Sequence, residues 1–282
     1  MIARYAITHR IRFDYDAPVH SEVTTLRVCP IRDRTQVVVS FSIQTEPDGS
    51  LFEFADPFGN SGHFLDRAGA HRYLEIVARS NVEVGPIPAA PERLVGGGWD
   101  ALRSAAADVD LWPMLHASAF VRSSPALERF IARHDLRPGD DPLASARDLQ
   151  GRLHRVFEYA PGSTSAESPI EVILETGRGV CQDYAHVMAS ILRKWGIPCR
   201  YVSGYLAPAD EDVTRSESHA WVEGWFPGTG WIGFDPTNET EGDERHVRVA
   251  VGRDYADVPP SRGVFRGVAT SRLEAEVTIE RS

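Results

Sequence analysis

The stretch Gly179-Val180-Cys181-Gln182-Asp183-Tyr184-Ala185-His186-Val187-Met188-Ala189-Ser190-Ile191-Leu192-Arg193-Lys194-Trp195-Gly196-Ile197-Pro198 decides the fold of the carboxy-terminal half. Its apolar positions Tyr184, Val187, Met188, Ile191, Leu192 and Trp195 recur at i, i+3, i+4, i+7, i+8 and i+11, which predicts a helix over 180–195 with one buried stripe. Gly196 supplies the position after the last turn, and Pro198 stops any continuation. Cys181 opens this helix. Unpaired amides and the positive end of the helix dipole stabilise a thiolate there. Stepping back three residues from Tyr184 along the stripe reaches Cys181, so its sulfur is expected to face the rest of the fold. Taken alone, such a position also suits an ordinary buried cysteine.

Downstream, the patterns at 199–206, 218–226 and 231–235 read as strands, the last two joined by Pro227-Gly228-Thr229-Gly230. His219 begins the second of these strands and Asp235 closes the third. Two neighbouring antiparallel strands can hold both at one end of a sheet, facing the helix start that carries Cys181. Nucleophile, base and orienting carboxylate would then come from three separate elements. Register sets a condition. A four-residue loop over 227–230 would pair Phe226 with Trp231 and turn Asp235 away from His219, so a triad needs an odd loop or a bulge.

Upstream, Tyr5, Ile7, His9, Ile11, Phe13 and Tyr15 alternate with mostly polar residues, the period of a half-buried strand. Further β-type runs lie at 23–29, 35–45, 51–54 and 73–84, separated by turn sequences such as Pro47-Asp48-Gly49 and Pro57-Phe58-Gly59-Asn60. Gly85-Pro86-Ile87-Pro88-Ala89-Ala90-Pro91 and Gly96-Gly97-Gly98 read as a linker. Helical spacing follows at 124–131 and 144–159, and Leu273, Ala275, Val277 and Ile279 alternate in a terminal strand. The class is α+β. A β-rich, sandwich-like amino-terminal domain (1–85) precedes a linker and helical segment (86–150) and then a core with the terminal strand (151–282).

Composition narrows the function. The chain has 282 residues, 42% of them hydrophobic and 25% charged, which predicts a globular protein with a real core. Its formal charge of −10 provides no basic field for nucleic acid or an anionic membrane. The amino-terminal residues lack a signal-peptide pattern, no run approaches the roughly 20 apolar residues of a membrane span, and three cysteines (Cys29, Cys181, Cys199) are too few for a disulfide scaffold. A cytoplasmic location is therefore expected. Cys181, His186, Cys199 and His219 lack zinc-ligand spacing, and Glu239, Glu241, Asp243 and Glu244 do not follow a calcium-loop pattern. No metal or cofactor is expected. His186 reads as a packed or hydrogen-bonded helix residue, Cys29 and Cys199 as core. Trp221 and Trp225, on the His219 face by alternation, could line a groove or simply pack.

The strings Gly179-Val180-Cys181-Gln182-Asp183-Tyr184-Ala185-His186, Arg200-Tyr201-Val202-Ser203-Gly204-Tyr205, Ser218-His219-Ala220-Trp221-Val222-Glu223 and Gly233-Phe234-Asp235-Pro236-Thr237-Asn238 resemble the transglutaminase-like superfamily. More narrowly, they resemble bacterial transglutaminase-like proteins described as cysteine protease candidates. The resemblance extends to Gly252-Arg253-Asp254-Tyr255-Ala256-Asp257-Val258 and to Leu26-Arg27-Val28-Cys29-Pro30 and Asp56-Pro57-Phe58-Gly59-Asn60. It implies a papain-like core with Cys181 as nucleophile, His219 as base and Asp235 as its orienting partner. The metal sites and the oxyanion-stabilising tryptophan of calcium-dependent animal transglutaminases have no counterpart in this sequence. Tyr159 is a candidate second oxyanion donor, though core packing also suits it. The implied activity is acyl transfer from a peptide or amide through a thioester. Hydrolysis is preferred over amine transfer, and an inactive binding or scaffold module is the reading from another class.

Overall fold

The computed structural model describes residues 2–94, 98–209, 213–216 and 218–281, so Gly96 and Gly97 of the expected linker lie outside the described residues. The chain opens with strands β1 (Ala3–Leu26), β2 (Gln36–Glu46), β3 (Ser50–Ala55) and β4 (Ser61–Val84). Helices α1 (Gly98–Ala105), α2 (Pro125–Arg133) and α3 (Pro142–Val156) follow, then β5 (Glu158–Tyr159), α4 (Ile170–Thr176), β6 (Arg178–Gly179) and α5 (Cys181–Lys194). The remainder is strand-rich: β7 (Cys199–Leu206), β8 (Val213–Ser216), β9 (His219–Phe226), β10 (Gly230–Asp235), β11 (Thr240–Glu241), β12 (His246–Gly252), β13 (Ser261–Arg266) and β14 (Ser271–Arg281).

The runs expected at 5–15 and 23–29 are halves of one strand. β1 stays paired with β4 on both sides of a register shift between Asp14 and Ser21. Asp16-Ala17-Pro18 breaks the alternation there, but the partner continues, so the irregularity is a bulge and not a strand end. β4 likewise merges the run at 73–84 with residues from Ser61 onward. Bending lets the two halves of these strands close over Ile11, Leu26, Leu65, Leu74 and Ile76. That produces a sandwich-like core from a single antiparallel sheet.

The terminal strand does not sit in the carboxy-terminal core. β14 pairs with β1 from Tyr5↔Arg281 to Tyr15↔Ser271, and β13 pairs with the second half of β1. Residues 261–281, grouped by sequence with the core, thus complete the amino-terminal sheet. Val277 and Ile279 pack with Tyr5, Ile7, Val82 and Val84, and the same cluster takes in Tyr205, Ala207, Val247 and Val249 of the second sheet.

That second sheet has the order β11-β10-β9-β7-β12. α5 packs its stripe against β7 and β9, burying Tyr184, Val187, Met188, Ile191 and Leu192 with Tyr201, Val222 and Phe226. Gly196 takes φ +82, as a helix-ending glycine does. Upstream caps are local: Ser124 Oγ accepts from Leu127 N at 3.3 Å, and Asp141 Oδ1 from Ala144 N at 2.8 Å. β12 is an edge strand, and two fully buried amides of the amino-terminal part cover it. Gln36 donates to Arg248 O and accepts from Arg248 N (2.8 and 2.9 Å); Asn60 does the same with Val251 (both 2.8 Å). Each side chain thereby replaces a missing neighbouring strand. No described helix is long and apolar enough to cross a membrane.

Candidate active site

Cys181 is the first residue of α5. The Asp183 carboxylate accepts from Val180 N at 2.8 Å and from Thr164 Oγ1 at 2.5 Å, fixing the helix start to the loop after β5. Burial pushes the Asp183 carboxyl above its ordinary range, against those two hydrogen bonds. On the other side, β5 pairs in parallel with β6, setting Tyr159 beside Gly179, two residues before the cysteine.

The register condition is met through the turn. β9 and β10 pair Phe226 with Gly230, Trp231 with Trp225 and Phe234 with Val222, leaving a three-residue loop, 227–229. Gly230 has φ +84 and carries the strand through a conformation that a side chain would oppose. The odd loop puts Asp235 on the face of His219. His219 Nε2 donates to Asp235 Oδ2 at 2.7 Å, and His219 and Cys181 line the same cavity.

Asp235 is wholly buried. Oδ2 also accepts from Asn238 Nδ2 at 2.7 Å, while Oδ1 accepts from the amides of Thr237 and Asn238 at 3.0 and 3.3 Å. Burial alone would raise this carboxyl. The hydrogen bonds from His219 and Asn238, with the His246 ring 3.5 Å away, outweigh it and hold the group well below the carboxylate range. For His219, burial favours the neutral ring, but the bond to Asp235 and the neighbouring Cys181 sulfur prevail and push it up to about 10. The imidazolium is therefore the state of this ring at neutral pH.

Cys181 and His219 lie in a cavity of about 500 Å³ lined by Tyr159, Thr164, Ser165, Gln182, Tyr201, Ser203, Ser218 and Tyr255. Among the described residues, no Asp, Glu, Lys or Arg lines it. Hydroxyl and amide groups surround the thiol, a setting for a neutral polar ligand.

Other candidates are distributed differently. Tyr159 is 51% exposed and lines this cavity, so it is not the core residue that its short apolar neighbourhood suggested. Trp221 is buried outside the cavity, against Val202 and Val251. His186 is fully buried, stacked on Phe120 at 5.2 Å, and its Nε2 accepts from Tyr255 N at 3.2 Å. Burial pushes it down to about 3, so it is a neutral brace behind Tyr255. Cys29 and Cys199 are buried and unpaired. Among the described residues no group of three or more His, Cys, Asp or Glu is arranged to hold a metal. The acidic run after Asp235 is more structured than a solvated loop: Glu239 pairs with Arg155, Glu241 with Arg147, and Asp243 with Arg245 and His246. Asn238 and His246 escaped the sequence reading. The signal for His246 was its place three residues after Asp243 at the head of the alternating run Val247, Val249, Val251.

Comparison with known proteins identifies the family. Residues 131–236 match the transglutaminase-like superfamily, and residues 5–83 match the bacterial transglutaminase-like N-terminal region. An uncharacterised protein of Mycobacterium leprae is 32% identical over 286 residues, covering 99% of each chain. A protein-glutamine gamma-glutamyltransferase of Pseudomonas aeruginosa is 38% identical over 133 residues, 43% of this chain and 20% of that one. Among solved structures, a candidate cysteine protease from Cytophaga hutchinsonii superposes with a TM-score of 0.76 at 18% identity, over 100% of this chain and 98% of its own. With both regions matched and a relative aligned along its whole length, the chain belongs to the bacterial transglutaminase-like family, with a papain-like core behind a strand-rich amino-terminal region.

Proposed function

We propose that the chain is a cysteine-dependent acyl-transfer enzyme that cleaves an amide or peptide bond through a thioester on Cys181. The observation that carries this reading is that Cys181 and His219 line one cavity, with the buried Asp235 bonded to His219 behind its wall. The Cys181 thiolate attacks the carbonyl carbon, and the electron pair of the C=O bond moves to oxygen. The Cys181 amide, in the first helical turn where amides have no intrahelical acceptor, points a donor at that oxyanion. Tyr159 on the rim is the second donor in this scheme. Collapse breaks the C–N bond, and the His219 imidazolium gives its proton to the departing nitrogen. Water then attacks the thioester as neutral His219 takes a proton, releasing the carboxylic acid and restoring the thiolate–imidazolium pair.

We prefer water as the acceptor because no described residue of the cavity forms an anionic seat for an incoming ammonium group. Amine transfer is the second reading, supported by the partial match to the Pseudomonas aeruginosa gamma-glutamyltransferase. We place the protein in a reducing compartment on its three unpaired thiols. The test incubates a peptide mixture with wild type and Cys181→Ala, with and without an added primary amine. Mass spectrometry then scores hydrolysis, deamidation and amine incorporation separately. Hydrolysed or deamidated products that depend on Cys181 support the reading; identical product sets from wild type and variant refute it.

A further inference from the structure

Asp235 meets two histidines. Beside the 2.7 Å bond from His219, His246 Nε2 lies 3.5 Å from the same Oδ2, and His246 Nδ1 lies 2.8 Å from Asp243 Oδ1. The His246 side chain is 2% exposed, and its Nε2 is buried with no hydrogen-bond partner, facing the Asp235 carboxylate in an ion-pair contact. An ionised carboxylate only accepts. A ring with one carboxylate at each nitrogen therefore needs hydrogen on both, and that ring is the imidazolium. Asp243 N also approaches Nδ1, at 3.2 Å, which would call for a bare nitrogen; the shorter carboxylate contact decides for a hydrogen there.

The charged groups facing His246 are Asp235 from β10 and Asp243 from the turn before β12, the latter shared with Arg245. β9 contributes His219, on the same Asp235 Oδ2, and the uncharged ring of Trp221, edge-on to His246 at 5.1 Å and stacked near His219 at 6.1 Å. This aromatic face suits a cation on either side.

We propose that His246, held between Asp235 and Asp243, is a positioning residue of the site, keeping the buried Asp235 carboxylate ionised and charge-compensated when His219 gives up its proton. The proposal rests on the acyl-transfer reading for its purpose. While thiolate and imidazolium coexist, Asp235 has the charge of His219 beside it. Once the proton has left with the amine, His219 is neutral and Asp235 would be a fully buried anion with no cationic neighbour, a costly state. His246 remains charged through that interval. The carboxylate then keeps its place for the second half-reaction, in which His219 must regain a proton from water.

The experiment uses the full chain labelled with ¹⁵N-histidine, as wild type, His246→Gln and Asp243→Asn. Imidazole ¹⁵N shifts are followed from pH 5 to 10, and in parallel the rate of Cys181 alkylation by iodoacetate. The resonance lost in His246→Gln is expected to be an imidazolium at pH 7. Its midpoint should fall by about one pH unit in Asp243→Asn, where one anionic partner is gone. Wild-type alkylation should show an inflection at that midpoint, displaced with it in Asp243→Asn and absent in His246→Gln. A neutral His246 at pH 7, or an inflection that the variants leave in place, overturns the proposal. A purely structural role would lower the unfolding midpoint without moving either titration. Asp243 is on a partly exposed turn, so Asp243→Asn decides the matter even if His246→Gln does not fold. Should wild-type Cys181 prove no more reactive than Cys29 and Cys199, the acyl-transfer reading fails, while the imidazole titrations still decide the charge of His246.

Discussion

Replacing Asp235 by Asn removes one negative charge while keeping an acceptor of the same shape beside His219. The carboxylate oxygen is 2.7 Å from Nε2, which puts the charge centres about 4 Å apart; at an effective dielectric of 20 such a pair is worth about 4 kcal/mol. That corresponds to about three pH units for the imidazole. The His219 midpoint of about 10 should therefore fall to about 7. At pH 8 nearly all wild-type molecules carry the imidazolium and only about one in ten of the variant does, so the cation beside Cys181 is depleted about tenfold. The assay is alkylation of Cys181 by iodoacetate between pH 5 and 11, followed on the Cys181 peptide by mass spectrometry, with buried Cys29 and Cys199 as internal references. The anionic reagent reads the cationic partner, so loss of the imidazolium appears as the alkaline limb of the profile. Superposable alkaline limbs in wild type and Asp235→Asn would refute the electrostatic argument.

Two further outcomes follow from the geometry. Tyr159→Phe should lower kcat on an amide substrate by about a hundredfold and leave KM nearly unchanged, because an oxyanion donor acts on the transition state; an unchanged kcat removes Tyr159 from the mechanism. His9 is buried with its Nδ1 3.0 Å from Tyr205 Oη, and burial pushes it down to about 4. The unfolded chain takes up this proton near pH 6.5 and the folded chain does not, so stability is lost as pH falls below 6.5, by about 2 kcal/mol for this group at pH 5. Urea unfolding at pH 7.5 and 5.0 should show a smaller acid loss in His9→Gln than in wild type, and an equal loss in both would contradict the assignment.

The helix 181–194 was legible because its stripe is long and ends on Gly196 and Pro198, signals that tertiary structure has no reason to override. His219 and Asp235 were legible as strand-end residues, but their common face was not. It depends on whether Gly230 belongs to the loop or to the strand, a difference of one residue that periodicity does not see. The amino-terminal strands were found in pieces because Asp16-Ala17-Pro18 looks like a stop when β4 is not in view. The place of His246 after Asp243 marked it as a strand opener, but its meaning lies in Asp235 and Asp243 approaching it from either side, which no local pattern shows. Tyr159 suffered the opposite error: an aromatic beside Phe157 resembles core until the parallel pairing of β5 with β6 turns it onto the rim.

The pairing of β1 with β14 also fixes the order in which the molecule can be finished during synthesis. β1 meets β4 early, once residue 84 has emerged, but its other side between Tyr5 and Tyr15 stays open until residues 271–281 exist. At roughly 5–20 residues per second, that is an interval of about 10–40 s. Throughout it the nascent chain carries a long strand with an unpaired row of amides and carbonyls, and Val277 and Ile279 are absent from the cluster joining the two sheets. The sheet begun by residues 3–84 is thus closed by a strand, 271–281, that is made nearly two hundred residues later.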